Sequence, residues 1–170
     1  MLRELARRNQ ELELLATTDP LTGLTNRRGF EEELYREEAR SRRERTSAAI
    51  VALDVRKLKN VNDHYGHSVG DDLLRAVGVA LRNSARKSDV VARLGGDEFA
   101  ALLPGASRAG GEIFLDRVRG SVRSLLLPSG GVVPVLLSAG VAVREEAESL
   151  TEAFQLADGR LLLDKQRPSA

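Results

Sequence analysis

The stretch Arg93-Leu94-Gly95-Gly96-Asp97-Glu98-Phe99 sets two glycines and two carboxylates between apolar runs at 90–94 and 99–103, each short enough for a buried strand. The glycines supply the turn of a hairpin, and Asp97 and Glu98 would project from a sheet edge, held by backbone geometry. Carboxylates fixed in this way suit a metal ion. Gly and Asp are also ordinary turn residues, so the stretch alone reads equally well as a plain hairpin.

Working outward, a second acidic position stands upstream. The run at 48–53, Ala-Ala-Ile-Val-Ala-Leu, reads as a buried strand ending at Asp54, and strand ends are where α/β folds place chemistry. Beyond it Lys59, Asn62, Asp63, His67, Gly70 and Asp71 form a dense polar run ahead of an apolar helix that opens at Leu73, Leu74 and Val77. That run has the character of a nucleotide site. Asp71, close to a helix start, also reads as a capping residue.

The 170 residues make one domain, and 42% hydrophobic with 30% charged content is ordinary for a globular chain with a real core. With 26 basic and 25 acidic residues the net charge is +1, which gives no reason to expect a nucleic-acid polymer or an anionic membrane as partner. The absence of cysteine excludes disulfides and thiolate metal sites and is compatible with a reducing cytoplasm. No apolar run approaches membrane-spanning length and no signal peptide is visible, so the expected location is cytoplasmic without membrane contact.

Residues 2–17 are rich in helix formers, and Leu2, Leu5, Asn9, Leu12 and Ala16 follow the a/d spacing of a coiled coil, with an Asn at an a position that favours a parallel dimer. The alternative is one amphipathic helix lying on its own domain. After the Asp19-Pro20 break, the pattern predicts a helix over 27–43, the first strand, a helix over 69–85, the hairpin, a helix over 109–126, strand segments around 131–143 and a last helix over 150–165.

These motifs together resemble the GGDEF family of diguanylate cyclases. The resemblance rests on Gly95-Gly96-Asp97-Glu98-Phe99, on Asp19-Pro20-Leu21-Thr22-Gly23-Leu24-Thr25-Asn26-Arg27-Arg28, and on Asp54 through Lys59 with Asn62-Asp63. Gly66-His67-Ser68-Val69-Gly70-Asp71, Ser138-Ala139-Gly140-Val141-Ala142, Ala157-Asp158 and Lys165 complete it over about residues 15–165. It implies an α/β (α+β) fold of the nucleotidyl-cyclase, ferredoxin-like palm type: a central, mostly antiparallel sheet flanked by helices, preceded by a coiled-coil-like helix. Residues 1–18 would be a signalling and dimerisation helix, linked to an upstream sensor domain or partner, and 19–167 the GGDEF domain.

The implied reaction condenses two GTP into cyclic di-GMP and two pyrophosphates in a homodimer, each 3′-hydroxyl attacking the α-phosphate held by the other subunit. Asp54, Asp97 and Glu98 would be catalytic. Asp54, the Val55 carbonyl, Asp97 and Glu98 would hold two Mg²⁺ per site, with Mn²⁺ an alternative. Asn62 and Asp71 would read guanine, Lys59 and Lys165 would contact phosphate, and Leu58 would keep an apolar substrate contact. Arg86 and Asp89, in RxxD spacing, would form an inhibitory product site, with Arg117 or Arg119 as a second basic contact.

The chain departs from the family pattern in places. Arg56 stands where an acidic residue is usual, and in an extended strand it would share a face with Asp54 and repel a cation. Leu58 replaces a common Phe and Leu162 a common Tyr. Gln166-Arg167-Pro168-Ser169 replaces a Gly-Arg-Asn segment. These departures frame an alternative, a catalytically impaired domain that binds GTP or cyclic di-GMP as a regulatory module; a purely structural dimerisation domain is the third reading.

Overall fold

The structure is a computed structural model and describes residues 1–167. The elements in order are α1 (Leu2–Thr17), α2 (Arg27–Glu44), β1 (Ala48–Val55), α3 (Leu58–Tyr65), α4 (His67–Ser84), β2 (Val90–Gly95) and β3 (Glu98–Pro104). They continue with α5 (Arg108–Ser121), β4 (Ser124–Leu126), β5 (Val132–Pro134), β6 (Leu137–Val143) and α6 (Leu150–Lys165), a 3₁₀ turn at Arg144–Glu146 joining the last two.

Four strands form one sheet in the order β2-β3-β1-β6, and every ladder in it is antiparallel. With α3 and α4 after β1 and α5 after β3, the connectivity is β-α-β-β-α-β, the ferredoxin-like split arrangement expected of a palm. β1 lies inside the sheet and is buried along its whole length. Ala49, Val51, Leu53 and Val55 face α4 and α5, packing with Leu73, Val77, Leu81, Phe114 and Val118. Ala48, Ile50 and Ala52 alternate to the opposite face, against Phe30 and Leu34 of α2 and Leu150, Ala153, Ala157 and Leu161 of α6. Asp54 continues this second series, so the strand that builds the core also delivers a carboxylate to its α6 side.

α6 sits close to the sheet because β6 presents no side chain at Gly140. A Cβ there would lie 2.0 Å from the Ala157 carbonyl oxygen and 2.5 Å from the Leu161 nitrogen, both backbone atoms of the helix. The Asp164 carboxylate accepts a 2.9 Å bond from the Ala139 amide, and Arg160 donates to the Val141 carbonyl, so the helix is pinned to β6 by polar as well as apolar contacts.

Several sequence expectations change. The polar run at 59–71 is helical: α3 and α4 meet at Gly66, whose φ of 91° allows a corner too tight for one continuous helix. α5 ends at Ser121 and not near 126, because 124–126 form β4. The segment around 131–143 divides into β5, which pairs only with β4, and β6 of the main sheet. Arg56 does not extend β1, which ends at Val55; Lys57, at φ 60°, then turns the chain into α3. α1 does not lie on its own domain, since none of its sixteen residues is buried and Leu2, Leu5 and Leu12 are exposed.

Candidate active site

The hairpin turns at Gly96-Asp97, with Gly95 opposite Glu98 and a register shift between Arg93 and Gly95. Both glycines have positive φ, 139° and 51°, a backbone that a side chain would strain. The tip is fastened at two points. The Val55 amide donates to the Asp97 carbonyl at 3.0 Å, and Arg93 folds its guanidinium back to donate twice to the Gly96 carbonyl, at 3.1 and 2.9 Å.

Arg93 also bonds Asp19 at 3.0 Å, in a pair whose side chains are only 14% and 12% exposed. Burial works against the Asp19 carboxylate, but the Thr22 hydroxyl and amide and the Arg93 guanidinium more than offset it and hold its pKa below the usual range. The turn after α1 and the glycine hairpin are thus one polar unit. Sequence reasoning quoted both segments and missed the bond, because partners 74 residues apart leave no periodic trace.

Asp54 pairs in register with Glu98 on β3 and with Ser138 on β6, so three polar side chains stand in a row across the sheet. Asp54 and Ser138 are buried, Asp97 is half-buried and Glu98 exposed, where Arg27 reaches it at 3.4 Å. Lys165, at the end of α6, brings its Nζ to 2.6 Å from Asp54 Oδ2. Asp54 Oδ2 and Ser138 Oγ are both sealed from solvent; the ammonium is the partner of the first, and Ser138 Oγ has no hydrogen-bond partner among the described residues. Burial pushes the Asp54 carboxyl up to about 6; Lys165 pulls against this and Asp97 adds to it. Burial lowers the Lys165 pKa, but Asp54, Asp97 and Glu98 together raise it above the ordinary lysine value.

This donor set fits a hard divalent cation. It offers the buried Asp54 carboxylate, whose Oδ2 meets the Lys165 ammonium, a second carboxylate beside it at the hairpin tip, and Glu98 in register. Among the described residues no three His, Cys, Asp or Glu side chains converge on one point. A Mg²⁺ ion, which keeps waters and draws phosphate oxygens, needs no full protein cage.

Asn62 lies on α3 with its carboxamide against α4. A Cβ on Gly70 would fall 1.8 Å from Asn62 Oδ1, so glycine makes the space that this amide fills. Asn62 Oδ1 is buried and has no hydrogen-bond partner among the described residues. Asp71 follows Gly70 as the fifth residue of α4, too deep in the helix to cap it; the helix starts at His67. Leu58 and Lys59 open α3, Leu58 packed on the core and Lys59 exposed.

Arg56 turns away from the hairpin: its guanidinium donates to the Lys165 and Arg167 carbonyls, at 3.4 and 3.3 Å, beyond the end of α6. The guanidinium is thus engaged by main-chain carbonyls and not by Asp54. Leu162 is exposed, while Pro168 and Ser169 lie outside the described residues.

The RxxD segment closes on itself just past α4, the Arg86 amide donating to Asp89 at 2.7 Å. Arg86, Asp89 and Arg117 line one cavity of about 220 Å³, floored by Phe114 and the 104–107 loop. Arg119 does not join them; it donates to the Leu137 carbonyl and meets Asp164. A larger cleft, about 860 Å³, runs between α1, α2 and β2 and holds neither Asp54 nor Asp97.

Comparison with known proteins agrees with this geometry. The family described as "Diguanylate cyclase, GGDEF domain" matches residues 16–169. The chain is 36% identical over 152 residues to the diguanylate cyclase DgcP of Pseudomonas aeruginosa, covering 89% of this chain and 23% of that protein. It is 36% identical over 151 residues to DosC of Escherichia coli, covering 88% and 33%. Among solved structures, the coiled coil and GGDEF domain of DgcB from Caulobacter crescentus, in complex with c-di-GMP, superposes with a TM-score of 0.90 at 30% identity, over 97% of this chain and 88% of that one. The diguanylate cyclase SiaD of Pseudomonas aeruginosa, in complex with its activator SiaC, gives 0.85 at 36% identity, over 97% and 64%. The chain spans only about a quarter to a third of the length of DgcP and DosC. The match over nearly the whole chain, together with the hairpin carboxylates facing Asp54, shows that the chain belongs to the GGDEF domain family of diguanylate cyclases.

Proposed function

We propose that this domain condenses two GTP molecules into cyclic di-GMP and two pyrophosphates. The observation that carries the reading is the placing of the buried Asp54 carboxylate in register with Glu98 and beside the hairpin carboxylate Asp97, at one end of the sheet. Asp54, Asp97, Glu98 and the Val55 carbonyl would hold Mg²⁺, two per site, or Mn²⁺. A bound dication would stabilise charge on the α-phosphate and acidify the attacking 3′-hydroxyl. Asn62 and Asp71 select guanine, the amide donating and accepting and the carboxylate accepting from N1 and N2. Lys59 and Lys165 bind phosphate, and Leu58 lines the nucleotide.

One domain holds one GTP, so the active form is a homodimer with facing sites. The exposed leucines of α1 support residues 1–18 as the dimerising and signal-carrying helix and 19–167 as the catalytic unit. No helix among the described residues is long and apolar enough to cross a membrane. A reaction fed by GTP would run in the cytoplasm. Arg86, Asp89 and Arg117, gathered around one cavity, would bind the product and slow the enzyme.

The alternative, a module that binds GTP or cyclic di-GMP without turnover, rested on Arg56 and Ser169. Arg56 bonds the end of α6 and weighs less for it, while Ser169 lies outside the described residues. The test is chromatographic detection of cyclic di-GMP after incubation with GTP and Mg²⁺. Product should form, vanish in an Asp97→Ala, Glu98→Ala variant and accumulate further with Arg86→Ala. No product from a confirmed dimer, even with Arg86→Ala, would return the reading to the binding module.

A further inference from the structure

Lys165 and Arg56 are linked in a way that neither the hairpin nor the guanine readers explain. The Lys165 ammonium approaches Asp54 Oδ2 to 2.6 Å, on a carboxylate only 4% exposed, and it also feels the charges of Asp97 and Glu98. It therefore stands where a dication would have to approach Asp54. A long, flexible side chain that is 37% exposed gains little by staying in one place unless its main chain is held.

The main chain is held. Lys165 is the last residue of α6, where helix carbonyls lack internal partners. Arg56, directly after Asp54 and Val55 on the chain, donates one guanidinium nitrogen to one of those carbonyls, that of Lys165, and to the Arg167 carbonyl two residues past the helix. One residue before Lys165, Asp164 accepts from the Ala139 amide of β6. The end of the strand bearing Asp54 and the end of the helix bearing Lys165 are thus closed into one ring by a charge pair and a guanidinium clamp. Both cations in that ring come from the chain itself.

We propose that Lys165 is a resident counter-cation that occupies the metal approach to Asp54 in the nucleotide-free domain, and that Arg56 is the positioning residue that keeps it there. This rests on the reading of Asp54 as a metal ligand. Metal entry is then an exchange: the dication displaces the ammonium, and the incoming triphosphate gives that ammonium a new partner. Metal and nucleotide favour each other's binding through Lys165, while metal alone binds weakly.

The experiment measures Mn²⁺ binding to the nucleotide-free chain at about pH 8 by the electron paramagnetic resonance signal of free Mn²⁺, the pH being chosen to keep carboxylates ionised. Lys165→Met should tighten binding roughly fivefold, the scale of one part-exposed ion pair. Arg56→Gln should tighten it by about two- to threefold, and the double variant should match Lys165→Met alone, since positioning has no object once the lysine is gone. Lys165→Arg, which keeps the charge, should stay near the wild type. Addition of 3′-deoxy-GTP, which cannot attack, should narrow the gap between wild type and Lys165→Met.

Unchanged or weaker Mn²⁺ binding by Lys165→Met would overturn the proposal. A full Arg56→Gln effect persisting on the Lys165→Met background would overturn the positioning role, showing Arg56 to act only as a distant charge. Mn²⁺ binding undiminished in Asp54→Asn would remove the metal-ligand reading and the proposal with it. Cyclic di-GMP formation is scored separately on the same samples: its absence beside the expected Mn²⁺ pattern would overturn the cyclase reading and leave this one standing.

Discussion

Replacing Gly70 by alanine sets fold and binding in opposition. The new Cβ would lie 1.8 Å from Asn62 Oδ1 and 2.9 Å from its Cγ, and the third-nearest atom, at 3.5 Å, is the Nδ2 of the same amide. Gly70 is the fourth residue of α4, where alanine is favoured over glycine by about 1 kcal/mol. The obstacle is the end of a side chain, so Asn62 rotates out and α3 keeps its place. The net change in stability should stay within about 1 kcal/mol, or roughly 2–4 °C in Tm for a domain of this size. Binding takes the loss instead. On the proposed reading of Asn62 as a guanine contact, a displaced carboxamide would give up one or two hydrogen bonds to the base and leave that edge unpaired, at about 1–3 kcal/mol, which is roughly five- to 150-fold in affinity. The assay is titration with 3′-deoxy-GTP followed by calorimetry, with thermal unfolding of the same variant and Asn62→Ala as reference. An affinity within about twofold of wild type, where Asn62→Ala is weakened tenfold, would refute the reasoning. So would a loss of more than about 2 kcal/mol in stability, which would mean that the helix yields and not the amide.

Gly140→Ala should act the opposite way, because its Cβ meets the backbone of α6 at 2.0 and 2.5 Å; the helix must retreat, costing about 2–3 kcal/mol in urea unfolding and shifting Lys165 away from Asp54. Asp54→Asn should abolish product formation yet stabilise the metal-free domain by about 1–2 kcal/mol at pH 8. The sign follows from a carboxyl raised from 3.8 to about 6, which binds its proton more tightly when folded, so the ionised group weakens the fold increasingly between those values and not below them; melting at pH 8 and pH 4 should show the gain fading with acid. Glu146, bonded by Arg160 and by Arg108, has its carboxyl lowered from 4.5 to about 2, so its stabilising effect is complete above 4.5 and lost as pH falls through 2. Glu146→Gln should lose about 1 kcal/mol in neutral urea unfolding, with the two proteins converging near pH 2.

The sheet was legible because its strands are short apolar runs with glycine between them, and β1 reads correctly from Ala48 onward. The corner of α3 and α4 was not, since its run is mostly polar and only Val61, Leu58 and Val69 mark the side that packs on the core. β4 and β5 were absorbed into neighbours because three-residue strands are too short to show alternation. Asp54, Asp97 and Glu98 were legible as a group through family resemblance. The roles of their supports were not: Arg93 meets Asp19, Arg56 meets the end of α6, and Ser138 stands beside Asp54, all through contacts between distant segments. Arg56 was misread for a definite reason, that one residue of strand was assumed where the chain turns.

The bareness of α1 carries a consequence for portability. A helix that buries none of its sixteen residues makes almost no demand on the composition of what it is spliced to. The core would fold the same beneath many different leaders. What a leader must respect is phase: Asn26 grips the Ala16 carbonyl, and the Asp19–Arg93 fork ties the next turn to the hairpin. Such a domain is a cartridge, indifferent to the sequence of its mount and sensitive to its angle.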